Sequence, residues 1–179
     1  MKKRTSVKLL VSLLLMGVFA GSPLLLFADA RPGSAEVEKG AAAEQAKDKV
    51  SAKKWYLKAA EKGNPEGQYR LAQVYSDDNT VITVAAMAAA LWAKDHPLVK
   101  NDPKFNANAR AMLKWSKKSA AQGYAPAQEL LGEIYAGELN APEVDDIVVK
   151  VDKAEAVKWY TKAANQGNAD AKDHLAAMK

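Results

Sequence analysis

Cysteine is absent from the 179 residues and histidine occurs only twice. The first absence excludes a disulfide framework, a cysteine-ligated zinc site, thiol catalysis and a lipidated N-terminal cysteine. The second leaves little material for a dedicated metal centre. There is also no glycine-rich phosphate loop of the kind that cradles nucleotides. What is present is ordinary for a folded chain: 49% of residues are hydrophobic and 26% charged, which excludes wholesale disorder. The length suits one domain.

The first thirty residues read as an address. Lys2, Lys3, Arg4 and Lys8 precede an uncharged stretch from Leu9 to Ala28, which is broken by Gly21-Ser22-Pro23 and ends in Ala28-Asp29-Ala30. A basic start, an apolar middle and small residues at −3 and −1 form the signature of a secretory signal peptide. Cleavage is expected about Ala30, with Val18-Phe19-Ala20 as an alternative. The competing reading is an uncleaved anchor, since about 20 apolar residues can span a bilayer; Pro23 and the A-x-A end argue against it. Removal of residues 1–30 takes four of the 26 basic residues and one of the 21 acidic ones, leaving 22 against 20. The formal charge of +5 thus belongs largely to the leader. Nucleic-acid binding, which needs a strong local positive field, is not expected. The expected location is bacterial, periplasmic or secreted, with no membrane span after cleavage.

Three segments of the remaining chain align without gaps: Trp55-YLKAAEKGNPEGQYRLAQV-Tyr75, Trp115-SKKSAAQGYAPAQELLGEI-Tyr135 and Trp159-YTKAANQGNADAKDHLAAM-Lys179. They share Trp at the first position, Ala five later (Ala60, Ala120, Ala164) and Gly eight later (Gly63, Gly123, Gly167). A small residue follows at twelve (Gly67, Ala127, Ala171) and Leu at sixteen (Leu71, Leu131, Leu175). Spacings of three and four before and after the Gly give one face of each of two helices. The Gly suits a left-handed position closing the first helix. Asn64-Pro65 then reads as N-cap and N1 of the second, with Asn168 capping its counterpart. Small Ala and Gly columns allow close approach, and the Trp is expected to fill the wedge between helices. One hairpin cannot bury both faces, so the three must stack.

These columns resemble the Sel1-like repeat, a relative of the tetratricopeptide repeat, with a pattern near A-x-x-W-Y/F-x-K-A-A-x-x-G-x-x-x-A-x-x-x-L-G-x-x-Y. Ala154-EAVKWYTKAANQGNADAKDHL and Ala52-KKWYLKAAEKGNPEGQYRLAQVY follow it closely, and the middle copy departs at Ser116. The resemblance implies an all-α fold, an α/α superhelical solenoid of three helix-turn-helix repeats, serving as a protein-interaction scaffold. The expected organisation is a signal peptide over 1–30, a linker grading into helix over 31–47, and a repeat domain over 48–179. Within it, repeats cover about 48–76, 108–137 and 152–179. An insertion over about 77–107 opens with a polar break at Ser76-Asp77-Asp78-Asn79 and holds an extra helix from Thr80 to Lys94. A second loop runs from Gly137 to Lys150.

Chemistry finds little support. Ser51-Ala-Lys-Lys54 matches S-x-x-K, the nucleophile motif of penicillin-recognising enzymes, but no K-T-G follows and Ser76-Asp77-Asp78 is not S-x-N. Lys54 also belongs to a repeated column. Asp170 and His174, one turn apart, make at most half a metal site, and His96 stands beside Pro97 with nothing near to activate it. No catalytic residue, metal or cofactor is therefore expected. Binding residues are sought instead in Lys54, Lys114 and Lys158 at Trp−1 and Lys58, Lys118 and Lys162 at Trp+3, which project to one flank, and in Met87 and Trp92 of the insertion. The expected partner is another protein. An anionic cell-envelope polymer held by the lysines, and a cell-wall enzyme or β-lactam-binding or peptidoglycan-binding protein using Ser51, are the alternatives.

Overall fold

In the computed structural model the described residues are 31–92, 103–137 and 151–178, with backbone alone described over 80–92. The leader, residues 93–102 with His96, and most of the 137–150 loop lie outside them. Seven helices are described: α1 (Ser34–Gln45), α2 (Lys49–Glu61), α3 (Pro65–Trp92), α4 (Pro103–Ala121), α5 (Ala125–Ala136), α6 (Lys153–Asn165) and α7 (Ala169–Ala177). Each packs on the next in chain order, and α1 reaches α3 and α5 reaches α7 across the intervening helix. This is the expected helical solenoid.

The turns follow the repeat columns. Gly63, Gly123 and Gly167 take φ of 85°, 85° and 94°, and a Cβ there would meet nothing, so backbone handedness is what selects glycine. The Gly67 amide donates to Asn64 Oδ1 (3.0 Å) and the Ala171 amide to Asn168 Oδ1 (2.8 Å), the two side-chain caps anticipated. Helices α2 and α6 are capped by Asp48 and Asp152. Hydrogen bonding from Ser51 holds the Asp48 carboxyl below the usual carboxylate range.

Two stretches differ from the sequence reading. Residues 34–45, expected within a linker grading into helix, are helical throughout, and Glu36 of α1 pairs with Lys62 at 2.7 Å. The polar break at 76–79 is no break: α3 runs through it, so the extra helix is a continuation of the second helix of the first repeat. Its polar residues are taken up by neighbours. Asp78 accepts from Lys53 Nζ (2.7 Å) and the Asn79 amide donates to Phe105 O (3.2 Å). Residues 103–107, expected in the insertion, are the first turns of a lengthened α4, which packs along α3.

The deepest column is not the tryptophan but the residue after it. Tyr56, Ser116 and Tyr160 are fully buried, whereas Trp55 and Trp159 are half-buried and only Trp115 is buried. A Cβ on Gly40 would run into the Tyr56 ring, and one on Gly132 into the Tyr160 ring. At the equivalent place on α3 stands Ala72, where the middle repeat offers only Ser116, whose hydroxyl donates to Met112 O (2.8 Å). Where the other two places hold a ring and a glycine, this one holds a serine and an alanine, both fully buried. A second unpredicted column stitches the turns. Gln68 Nε2 donates to Ala60 O and Gln128 Nε2 to Ala120 O (3.2 Å each). The same two glutamines accept from Gln122 (2.8 Å) and Gln166 (2.7 Å) of the following repeat.

Candidate functional site

Helices α1, α2 and α3 leave a groove of about 820 Å³ on one side of the first repeat. Its apolar part comes from Val50, Ala52 and Leu57 of α2 and Val74 and Tyr75 of α3. Val50 stands 82% exposed on the first turn of α2, unusual for a branched aliphatic residue beside an apolar groove. The rim carries Lys47, Lys49, Lys53 and Lys54 against Glu44, Asp77 and Asp78. Lys53 is fixed twice, by Asp78 and by the Tyr75 ring 4.2 Å from its Nζ. Partial burial pushes the Asp77 carboxyl above its ordinary value. Beneath the rim, Tyr56 Oη donates to Glu44 Oε2 (2.7 Å), and burial together with that bond raises the phenol.

The six lysines singled out by the sequence are all exposed, but they are differently engaged. Lys58 Nζ lies 4.4 Å from the Trp55 ring centroid, Lys114 and Lys118 each 5.0 Å from that of Trp115, and Lys162 3.9 Å from that of Trp159. Lys39 of α1 covers Trp55 as well, at 4.7 Å. Ammonium groups over indole faces are worth about 0.5–1 kcal/mol each at exposed sites, and their alkyl stems cover apolar surface. The Trp+3 spacing accounts for Lys58, Lys118 and Lys162, which stand one turn from the ring; of the Trp−1 lysines Lys114 alone reaches it. Lys158 is bound instead to Glu155 (2.8 Å), whose hydrogen bond raises its pKa. Lys54 opens onto the groove. Met87 and Trp92 lie on α3, but their side chains fall outside the described residues.

Ser51 sits in the first turn of α2, where its amide donates to Asp48 Oδ1 (3.0 Å). Among the described residues no hydrogen bond joins its hydroxyl to Lys54, the contact that an S-x-x-K nucleophile requires. His174 turns toward α5, its Nε2 3.8 Å from Glu133 Oε1. Glu129, Glu133 and His174 each offer a ligand atom within 4.8 Å of the other two. Sequence reasoning did not find this trio, because its members lie on helices α5 and α7 at positions the repeats do not share. No helix among the described residues is long and apolar enough to cross a membrane.

Comparison with family profiles matches the Sel1 repeat over residues 37–64, 65–94, 113–124 and 125–168. The first stretch takes in most of α1 with α2, so α1 belongs to the repeat array. No curated protein matches the sequence at a significant level.

Proposed function

We propose, from the premise that this chain belongs to the Sel1 repeat family, that it is a non-catalytic scaffold whose α1–α2–α3 groove takes up a segment of a partner protein. Sel1 repeats are generally protein–protein interaction modules. The observation that carries the assignment to this place is the groove itself: an apolar floor, an exposed Val50 at its mouth and a rim of four lysines against three carboxylates. A segment with apolar side chains and an acidic flank fits that surface, since the lysines steer it and the floor holds it. The helices that frame the groove are already packed, so binding costs little ordering of the scaffold. The protein acts in the bacterial periplasm or outside the cell, after cleavage about Ala30.

Linear peptides selected on the full chain test this reading. Selected peptides are expected to combine aliphatic or aromatic residues with Asp or Glu, and to lose binding to Val50→Asp and Leu57→Glu variants that retain wild-type helicity. Peptides that bind these variants as well as wild type, or a selection that yields none, would refute the groove assignment. Amino-terminal sequencing of the protein recovered from the periplasm or medium checks the cleavage at Ala30.

A further inference from the structure

At the opposite end of the array, α5 and α7 form an open cleft of about 450 Å³ lined by Glu129, Glu133, Asp170, Asp173, His174 and Ala177. Its lining holds four carboxylates and one imidazole, with no lysine or arginine. Glu129 and Glu133 stand one turn apart on α5, and His174 faces them from α7. Two further contacts fix the orientation of the donors. The His174 ring is stacked on the Tyr160 ring with centroids 4.6 Å apart and planes at 8°. Asn168 Nδ2 donates to Glu129 Oε2 at 2.8 Å. Outer partners of this kind hold metal ligands in place and are part of a site's affinity.

The repeat does not impose this arrangement. One repeat earlier the same three positions are Tyr69, Gln73 and Leu130, where Gln73 Nε2 donates to Tyr69 Oη (2.8 Å) and a leucine replaces the imidazole. The donor set is thus peculiar to the last interface, and it departs from the absence of metal expected from the sequence.

We propose that Glu129, Glu133 and His174 bind a divalent transition-metal ion of the zinc class, which ties the terminal helix α7 to α5. Zinc takes carboxylate oxygen and imidazole nitrogen at about 2.0–2.2 Å, so donor atoms in a tetrahedral shell stand roughly 3.4 Å apart. The Glu133–His174 separation of 3.8 Å needs only a small rotamer adjustment to reach that value. An imidazole with two carboxylates favours zinc and its neighbours over magnesium or calcium, which prefer all-oxygen shells. The open side of the cleft leaves the remaining position to water.

Titration of chelator-stripped full chain with zinc chloride, read by competition with a chromophoric chelator, tests the site. The expected result is one ion bound per chain, with affinity falling about tenfold or more in Glu133→Gln and in His174→Asn. His96→Ala removes the other histidine and keeps binding unchanged. Glu129→Gln, isosteric and partly exposed, guards against misfolding in the histidine variant; circular dichroism checks all four. Absence of saturable zinc binding, or binding that survives Glu133→Gln and Glu129→Gln in folded protein, overturns the proposal. Loss of binding in His96→Ala alone places the ion elsewhere and overturns it too.

Discussion

The two cores of the array differ in substance. The first, from α1 to α5, buries Leu71, Met112, Leu113, Trp115, Leu131 and Ile134 along with its alanines. The second, around α6 and α7, is Tyr160 with Ala156, Ala163 and Ala171, edged by half-buried Leu175 and Met178. The first is closed at its outer side by α1, whose Gly40 receives Tyr56 and whose Glu36 pairs with Lys62. At the other end the equivalent positions are Ala176 and Lys172, both exposed. Family resemblance between repeats therefore does not make them energetic equals: the units from α1 to α5 bury large aliphatic side chains, and the α6–α7 unit relies on one tyrosine and close backbone approach.

Substitutions in the Trp column should separate the two regions most widely. Trp115→Ala should cost about 3–5 kcal/mol, because its ring is buried between units. Trp55→Ala and Trp159→Ala remove half-covered rings and should cost about 1–3 kcal/mol. Urea unfolding of the three variants checks the order; equal losses would erase the distinction drawn above.

A sharper test concerns the fit of ring and glycine. Gly132→Ala should destabilise by about 1–3 kcal/mol through overpacking against Tyr160. With Tyr160→Ser in place, the same change should become stabilising by up to about 1 kcal/mol, because alanine is the better helix former. A double-mutant cycle measures the change of sign. The smallest difference is expected in the glutamine column. Gln128→Ala should cost about 1 kcal/mol, since it removes the bond to Ala120 O and the bond from Gln166, which keep the Gly123 amide and Lys162 O as partners. Lys172→Ala, at the same column position on α7 and exposed, should stay within about 0.5 kcal/mol of wild type. Thermal melts of the two checks this pair.

The sequence made plain whatever recurred. Three Trp-led segments revealed the hairpins, their glycine turns and the Asn64 and Asn168 caps, because local backbone chemistry repeats with the columns. Helix α1 was legible only as a linker grading into helix, since no Trp precedes it in the sequence and half a period was available to match. Asp77-Asp78-Asn79 looked like a loop because polar clusters usually are; here Lys53 and Phe105, distant in sequence, accept them into a helix. Tyr56 and Tyr160 were overshadowed by the tryptophans beside them, whose size suggested a depth that the lysines covering their faces do not require. The groove and the Glu129–Glu133–His174 trio depend on which helices meet, and that information no single period contains.

The fit of Tyr56 to Gly40 and of Tyr160 to Gly132, with Ser116 and Ala72 at the same columns of the middle joint, also bears on how such a chain can change. Each unit carries half of a joint whose other half belongs to the unit before it. Copying or exchanging one hairpin alone would set a tyrosine against alanine, or a serine against glycine, producing a collision or a hole. Rearrangements that survive must therefore move the break to the middle of a hairpin, so that ring and socket travel together.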